Sequence, residues 1–155
     1  MWVAQIRLPK QQNKNTTIKK EQLMGDYFER KLDDKRRLTL PPELRAEFAS
    51  GVVITRGFEN YLHLYPKDVW DKLVAPQLEG NILDEHTADL NVKFRMGKTE
   101  SEIDQKQGRF TLEQHLLDYA GIKRDVVGIR AGQYFRLTPK EVANAEKLGT
   151  LTTYL

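Results

Sequence analysis

Residues 32–40 read Leu32-Asp33-Asp34-Lys35-Arg36-Arg37-Leu38-Thr39-Leu40, and residues 104–112 read Asp104-Gln105-Lys106-Gln107-Gly108-Arg109-Phe110-Thr111-Leu112. Each stretch carries an aspartate, a polar break, and then arginine, an apolar residue, threonine and leucine. A polar break between alternating segments marks a turn. The alternation of Leu38 with Leu40, and of Phe110 with Leu112, marks strands with one buried face. Arg37-Leu38-Thr39-Leu40 and Arg109-Phe110-Thr111-Leu112 lie 72 positions apart. Tyr61 and Leu64-Tyr65-Pro66-Lys67-Asp68-Val69 match Tyr134 and Leu137-Thr138-Pro139-Lys140-Glu141-Val142, 73 positions on. Two matches in the same order, with one net gap, indicate an internal repeat.

Working outward, residues 27–32 predict a strand that turns at 33–36 and returns through 37–40. Pro41-Pro42 ends it, because proline cannot donate to a ladder, and opens a short helix over 43–48. Val52-Val53-Ile54-Thr55 and the alternating 61–65 predict a strand pair joined across 57–60. Residues 67–78 predict a helix with Val69, Trp70, Leu73 and Val74 on one buried face, cut short at Pro76. Residues 84–96 predict a second helix with Leu90, Val92 and Phe94 inward. In the second half a strand ends at 102–104, a turn spans 105–108, and a strand at 109–112 leads to a helix at 113–120 closed by Gly121. Strands at 125–130 and 134–137 follow. A last helix is expected with Thr138 as N-cap and Pro139 as its first residue. Each copy thus has roughly four short strands and a helix, which leaves an open sheet edge and half a core. The expected fold is α+β, mainly β: two tandem copies closed into a pseudo-two-fold barrel with short peripheral helices. The expected divisions are a basic, disordered extension at 1–24, a first copy at 25–79, a helical connector at 80–96, a second copy at 97–143 and a tail at 144–155.

The chain has 155 residues, with 25 Lys plus Arg against 22 Asp plus Glu, a formal charge of +3. That balance is only mildly basic, so the distribution of charge must carry any nucleic-acid argument. There is no cysteine, which removes disulfides and thiolate metal sites and suits a reducing compartment. No apolar run approaches the roughly 18 residues of a membrane span, and residues 2–8 are too short for a signal-peptide core. A soluble cytoplasmic protein without a membrane partner is expected. Enzyme chemistry finds little support. His63 sits in an alternating strand, and His86 and His115 sit in helices without ligand spacing. Asp84-Glu85-His86 are adjacent, so a helix points them in different directions. There is no phosphate-cradling glycine loop and no nucleophile elbow. Trp2 and Trp70 read as core or interface anchors. No catalysis, cofactor, metal or small-molecule substrate is expected.

The strongest chemical signal is the charge at the first turn. Arg30, Lys31, Lys35, Arg36 and Arg37 place five cations within eight residues, offset by Asp33 and Asp34. A tight turn gathers such charges on a projecting tip. Lysine there can pair with phosphates. Arginine can read guanine bidentately in the major groove, which admits a two-stranded ribbon. Lys106 and Arg109 are their counterparts at the second turn. The same residues also fit a solvated turn laced with ion pairs. Asp33, four residues before Arg37, can brace its guanidinium, and Asp104 can do the same for Arg109. Arg56 fits a structural ion pair or a second DNA contact equally well.

Beyond these readings, the chain resembles a known family. Leu32-Asp33-Asp34-Lys35-Arg36-Arg37-Leu38, followed by Pro41-Pro42-Glu43-Leu44-Arg45, resembles the D-x-K-G-R-L hairpin of MraZ proteins. Val53-Ile54-Thr55-Arg56-Gly57 and Leu62-His63-Leu64-Tyr65-Pro66 are similar to that family's V-V-T-R-G and L-x-L-Y-P segments. Phe94-Arg95-Met96-Gly97, Glu102-Ile103-Asp104, Gln107-Gly108-Arg109 and Tyr119-Ala120-Gly121-Ile122 resemble its F-F-S-G, E-L-D, Q-G-R and Y-A-G-L stretches. The likeness runs from about Gly25 to Val142. It implies the swapped-hairpin barrel of AbrB-like regulators, a ring-like homo-oligomer, and sequence-specific binding of double-stranded DNA at short direct repeats. The expected targets are promoters of the division and cell-wall gene cluster, in the nucleoid. It implies DNA contact by Arg30, Lys31, Lys35, Arg36, Arg37, Lys106 and Arg109, with Asp33 and Asp104 organising the turns. The alternative is an AbrB-like antitoxin or interaction module that binds operator DNA with a protein partner held by residues 143–155. Arg36 stands where the family has glycine, so this turn is expected to avoid a positive φ. The second turn is one residue longer than the first.

Overall fold

The computed structural model describes residues 25–144. The extension expected at 1–24 and the tail from 145 onward lie outside the described residues.

The secondary structure is α+β, with the strands dominant. Among the described residues eight strands run in chain order: β1 (Tyr27–Lys31), β2 (Arg37–Thr39), β3 (Val52–Arg56), β4 (Leu62–Pro66), β5 (Thr99–Ser101), β6 (Arg109–Thr111), β7 (Asp125–Ala131) and β8 (Tyr134–Pro139). Six form an antiparallel sheet in the order β1-β7-β8-β4-β3-β5, while β2 and β6 form a separate antiparallel ribbon. Exchanging β1–β4 with β5–β8 leaves that order unchanged, read from the opposite end. The two matching motifs are laid side by side: Arg37 is opposite Thr111, Leu38 opposite Phe110, and Thr39 opposite Arg109.

The two strands that flank the first turn do not pair with each other. The first turn does close locally, with the Asp33 N–H donating to the Arg37 carbonyl at 3.1 Å and the Arg36 N–H to the Asp33 carbonyl at 3.0 Å. Its arms then part. β1 pairs with β7, where Phe28 is opposite Gly128, and β2 pairs with β6. Local periodicity finds the strands but says nothing about which strand each will meet. The expected closed barrel is likewise replaced by an open sheet, with β1 and β5 at its edges, and a ribbon laid across one face.

Burial explains the ribbon's position. Leu38, Leu40, Phe110 and Leu112 are at most 3% exposed and pack with Ile54, Leu62, Leu64, Phe135 and Leu137 from the sheet. Burying each such side chain is worth about 1.5–3 kcal/mol. Gly128 is needed beneath this layer, since a Cβ there would lie 2.2 Å from the Phe28 ring. The opposite face of the sheet packs Val53 and Tyr65 against Trp70, Leu78 and Phe94 of the helices.

Several elements differ from expectation for local reasons. Residues 43–48 do not form an α-helix. A 3-10 turn at Pro42–Leu44 continues as successive i to i+3 bonds as far as Gly51. The helix from Lys67 passes through Pro76 by widening at Trp70–Val74 into a π turn, in which the Ala75 N–H bonds the Trp70 carbonyl, before finishing as Ala75–Leu78. A π turn is a recognised way to shift helix register around a residue that cannot donate. Leu73 and Val92, expected inward, are 41% and 61% exposed. The helix Glu85–Arg95 starts at Asp84, whose carboxylate caps the Thr87 N–H at 2.9 Å. The strand expected to end at 102–104 lies earlier, at Thr99–Ser101. Thr138 is a buried strand residue, not a cap, because Pro139 still pairs with Val126. Gly121 closes Gln114–Ala120 at φ +71°, as expected.

Candidate nucleic-acid interface

The ribbon and its two turns hold most of the residues singled out by their charge. Strand alternation sends Leu38 and Phe110 into the core, so Arg37, Thr39, Arg109 and Thr111 share the other face. Antiparallel pairing places the two arginines diagonally across that face. Both line a groove of about 380 Å³ between the ribbon and β5.

Asp33 shapes the first turn. One carboxylate oxygen accepts the Lys35 and Arg37 backbone N–H groups at 2.9 Å each, and the other accepts the Arg37 guanidinium Nε–H at 2.6 Å. The Arg37 amide bond first, then the Arg37 side chain and the Lys35 amide, hold the Asp33 carboxyl down at about 2. The Arg37 side chain is 32% exposed, so its outer nitrogens remain within reach of a ligand. At the second turn Asp104 caps the Lys106 N–H at 2.9 Å. Among the described residues no ion pair joins Asp104 to Arg109, which corrects the expected symmetry. The extra residue in this turn changes its reach, and Arg109 keeps a buried Nε without a hydrogen-bond partner.

The other expected contacts are more committed. Arg30 donates to the Thr39 and Glu29 carbonyls at 2.9 and 3.0 Å, tying β1 to the ribbon. Lys31 pairs with Asp125 at 2.7 Å across β1 and β7. Arg36 does adopt a positive φ, +61°, against expectation, and its Nε–H donates to the Leu112 carbonyl at 3.2 Å. Lys35 and Lys106 are exposed at the two tips and hold no ion pair among the described residues. Glu100, Glu102, Asp104 and Glu113 line the groove beside Arg37 and Arg109, and Lys35 and Lys106 add positive charge at the tips.

Reading the sequence alone missed Arg45. Its Nε–H donates to the Leu40 carbonyl at 3.2 Å and its Nη1 to the Lys106 carbonyl at 2.9 Å, so it bridges the ribbon and the second turn. A signal was present. Gly108 leaves the space that this side chain fills, because a Cβ there would lie 2.3 Å from the Arg45 Nε. Arg56 holds no ion pair among the described residues; its guanidinium lies over the Tyr119 ring at 5.3 Å.

Away from the ribbon, His63 is structural. It is fully buried, with its Nε2 accepting the Phe58 N–H at 3.4 Å and its Nδ1 2.9 Å from the Tyr65 hydroxyl. Burial, with the charges of Arg136 and Lys93, lowers its pKa to about 3, so the ring is neutral. With Nε2 accepting, the proton sits on Nδ1 and is donated to Tyr65. Among the described residues no three His, Asp or Glu side chains gather as a metal site, and no helix is long and apolar enough to cross a membrane.

Comparison with known proteins places this arrangement. A family model described as "MraZ protein, putative antitoxin-like" matches residues 23–92. A Salinispora arenicola protein named transcriptional regulator MraZ is 40% identical over 101 residues, covering 65% of this chain and 70% of that protein. The chain belongs to the MraZ family. Transcriptional regulators MraZ from Syntrophomonas wolfei and Clostridium acetobutylicum are 35% identical over 125 residues and 31% over 119, each covered over 82% of its length. In this MraZ-family chain, the family match over residues 23–92 takes in the first turn, and the longer alignments extend the likeness across most of the second half.

Proposed function

We propose that this chain is a sequence-specific DNA-binding regulator of transcription that reads duplex DNA with its two turns. One observation carries the reading: Arg37 and Arg109, from matching positions 72 residues apart, sit on one face of one ribbon. Lys35 and Lys106 flank them at exposed tips. A two-stranded ribbon fits the major groove, where a guanidinium bonds guanine O6 and N7, while lysines at the tips approach phosphates. Asp33 and Asp104 shape the turns without touching DNA, and Arg30, Lys31 and Arg36 support them from within.

The fold fits the same proposal. Copies at 25–79 and 97–143, joined by a connector at 80–96, interleave as a swapped-hairpin, AbrB-like pair. A single chain would present two unlike tips, and a ring of chains would engage several short direct repeats at once, with weak contacts adding through effective concentration. Promoters of division and cell-wall genes are the proposed targets, bound in the nucleoid.

The test is selection of duplexes from a randomised library by the purified protein, followed by gel shifts on the enriched sequence across a salt series. We expect enriched repeats and a steep loss of affinity with salt. Arg37→Ala should abolish specific binding while leaving the thermal melt close to that of the parent. Enrichment of no sequence, or unchanged binding by that variant, overturns the reading. The family's antitoxin-like description favours a second reading, in which operator binding requires a stoichiometric protein partner. Sequence-specific binding by the pure protein alone rejects it.

A further inference from the structure

The two turns differ in sequence but are fastened by the same bond. Arg36 and Gly108 are matching positions, each just before the groove arginine, and both are left-handed, at φ +61° and +66°. Their carbonyls play matching roles: the Leu112 N–H donates to the Arg36 carbonyl at 2.9 Å, and the Leu40 N–H to the Gly108 carbonyl at 2.8 Å. The carbonyls of those same leucines each receive a guanidinium Nε–H at 3.2 Å. At Leu112 the guanidinium comes from Arg36, inside the turn. At Leu40 it comes from Arg45, which lies over Gly108 and also holds the Lys106 carbonyl at 2.9 Å.

The two solutions exclude each other at one turn. A Cβ on residue 108 would lie 2.3 Å from the Arg45 Nε, so the second turn takes its guanidinium from outside only because it has glycine. At the first turn the residue matching Arg45 is Leu117, which is 2% exposed and belongs to the core. No guanidinium can come from there, and Arg36 supplies it instead. Left-handed backbone is costly for a non-glycine residue, and the bond to Leu112, with Glu113 at 3.8 Å from its Nη2, offsets that cost.

We propose that Arg36 and Arg45 are positioning residues, one guanidinium per turn, that lock each tip to the ribbon so that Arg37 and Arg109 are presented in a fixed geometry. This deepens the DNA-binding reading and rests on it for its functional part. Arg36 then acts through the turn and not as a contact, despite lying in the basic cluster. A turn ordered before it meets its ligand loses less freedom on binding.

The experiment compares Arg36→Asn and Arg45→Gln with the parent in the full chain. Asparagine tolerates the left-handed backbone but cannot reach Leu112. Amide hydrogen exchange is read at Leu112 and Leu40, alongside the thermal melt. Arg36→Asn should speed exchange at Leu112 by about tenfold and leave Leu40 unchanged, and Arg45→Gln should do the reverse. Exchange that rises equally at both amides, or at neither, overturns the fastening. The second measurement uses the duplex enriched by the parent protein. Both variants should weaken binding several-fold with the salt slope unchanged, because no phosphate contact is removed. A slope reduced by about one for Arg36→Asn would make Arg36 a phosphate contact and overturn its positioning role. If the parent enriches no duplex, the DNA-binding reading fails, while the exchange result still decides the fastening.

Discussion

Asp33 illustrates how much one side chain organises at the residue scale. Its carboxylate takes two backbone amides and the Arg37 guanidinium, and its pKa is held at about 2. A carboxyl depressed in the folded state contributes stability that is complete above its unfolded value near 3.9 and is lost as pH falls through the folded value. The turn should therefore stay braced down to about pH 3 and loosen towards pH 2. An NMR titration of the Asp33 carboxyl should show a midpoint near 2 in the parent and a higher one in Arg37→Ala. His63 works in the same direction for a different reason. Its neutral ring is buried, so the unfolded chain takes up a proton near 6.5 that the folded chain refuses until about 3. Stability should fall as pH drops between those values, by at most about 1.4 kcal/mol per pH unit from this group. A denaturant series on His63→Gln should show a flatter dependence over that window. Gly57 belongs to the same site, since a Cβ there would lie 2.0 Å from the His63 ring. We expect Gly57→Ala to cost about 1–3 kcal/mol by overpacking, read as a shifted denaturation midpoint at constant m-value.

At the scale of elements, the strands other than β5 and the helix Gln114–Ala120 were legible because their signals are local. Alternation, β-branched runs, flanking proline and a terminal glycine all act within a few residues. Where those signals failed, a neighbour outside the window decided the outcome. Val92 has helical spacing for burial, yet none of the described residues buries it and it is 61% exposed. Pro76 signals a helix stop, but Trp70 at 3% exposure anchors that segment to the sheet, and the backbone widens into a π turn to keep it there. The candidate site divides similarly. Asp33 and Arg37 are close in sequence, and their contact follows from spacing. Arg45 and Lys106 are 61 residues apart, and only the fold brings them together.

Across the whole molecule, each half completes the other. β2 has its partner in β6, β1 in β7, and β5 in β3, so neither half retains all of its pairing alone. Leu38 and Phe110, at 0% and 3% exposure, would both be uncovered by separation. We expect chains cut into 1–96 and 97–155 to lack cooperative unfolding singly and to regain it on mixing, measured by circular dichroism melts. Cooperative melting of either piece as a monomer would show that the halves are independent. Arg130 adds a long-range tie: its guanidinium meets both Glu47 carboxylate oxygens at 2.9 and 3.0 Å, 83 residues away. It bonds the Gly25 carbonyl as well, at 3.0 Å.

The amino-acid sequence by itself determined that this protein is built twice over from one pattern, that its elements are mainly short strands, and that its cations gather at a turn. Those properties reside in spacing and residue type, which are independent of where distant segments go. Tertiary structure decided that matching strands pair with each other, that the sheet stays open beneath a crossing ribbon, and which arginines face outward. Those outcomes depend on burying two incomplete apolar faces against one another and on satisfying each carbonyl from whichever side chain the packing leaves within reach.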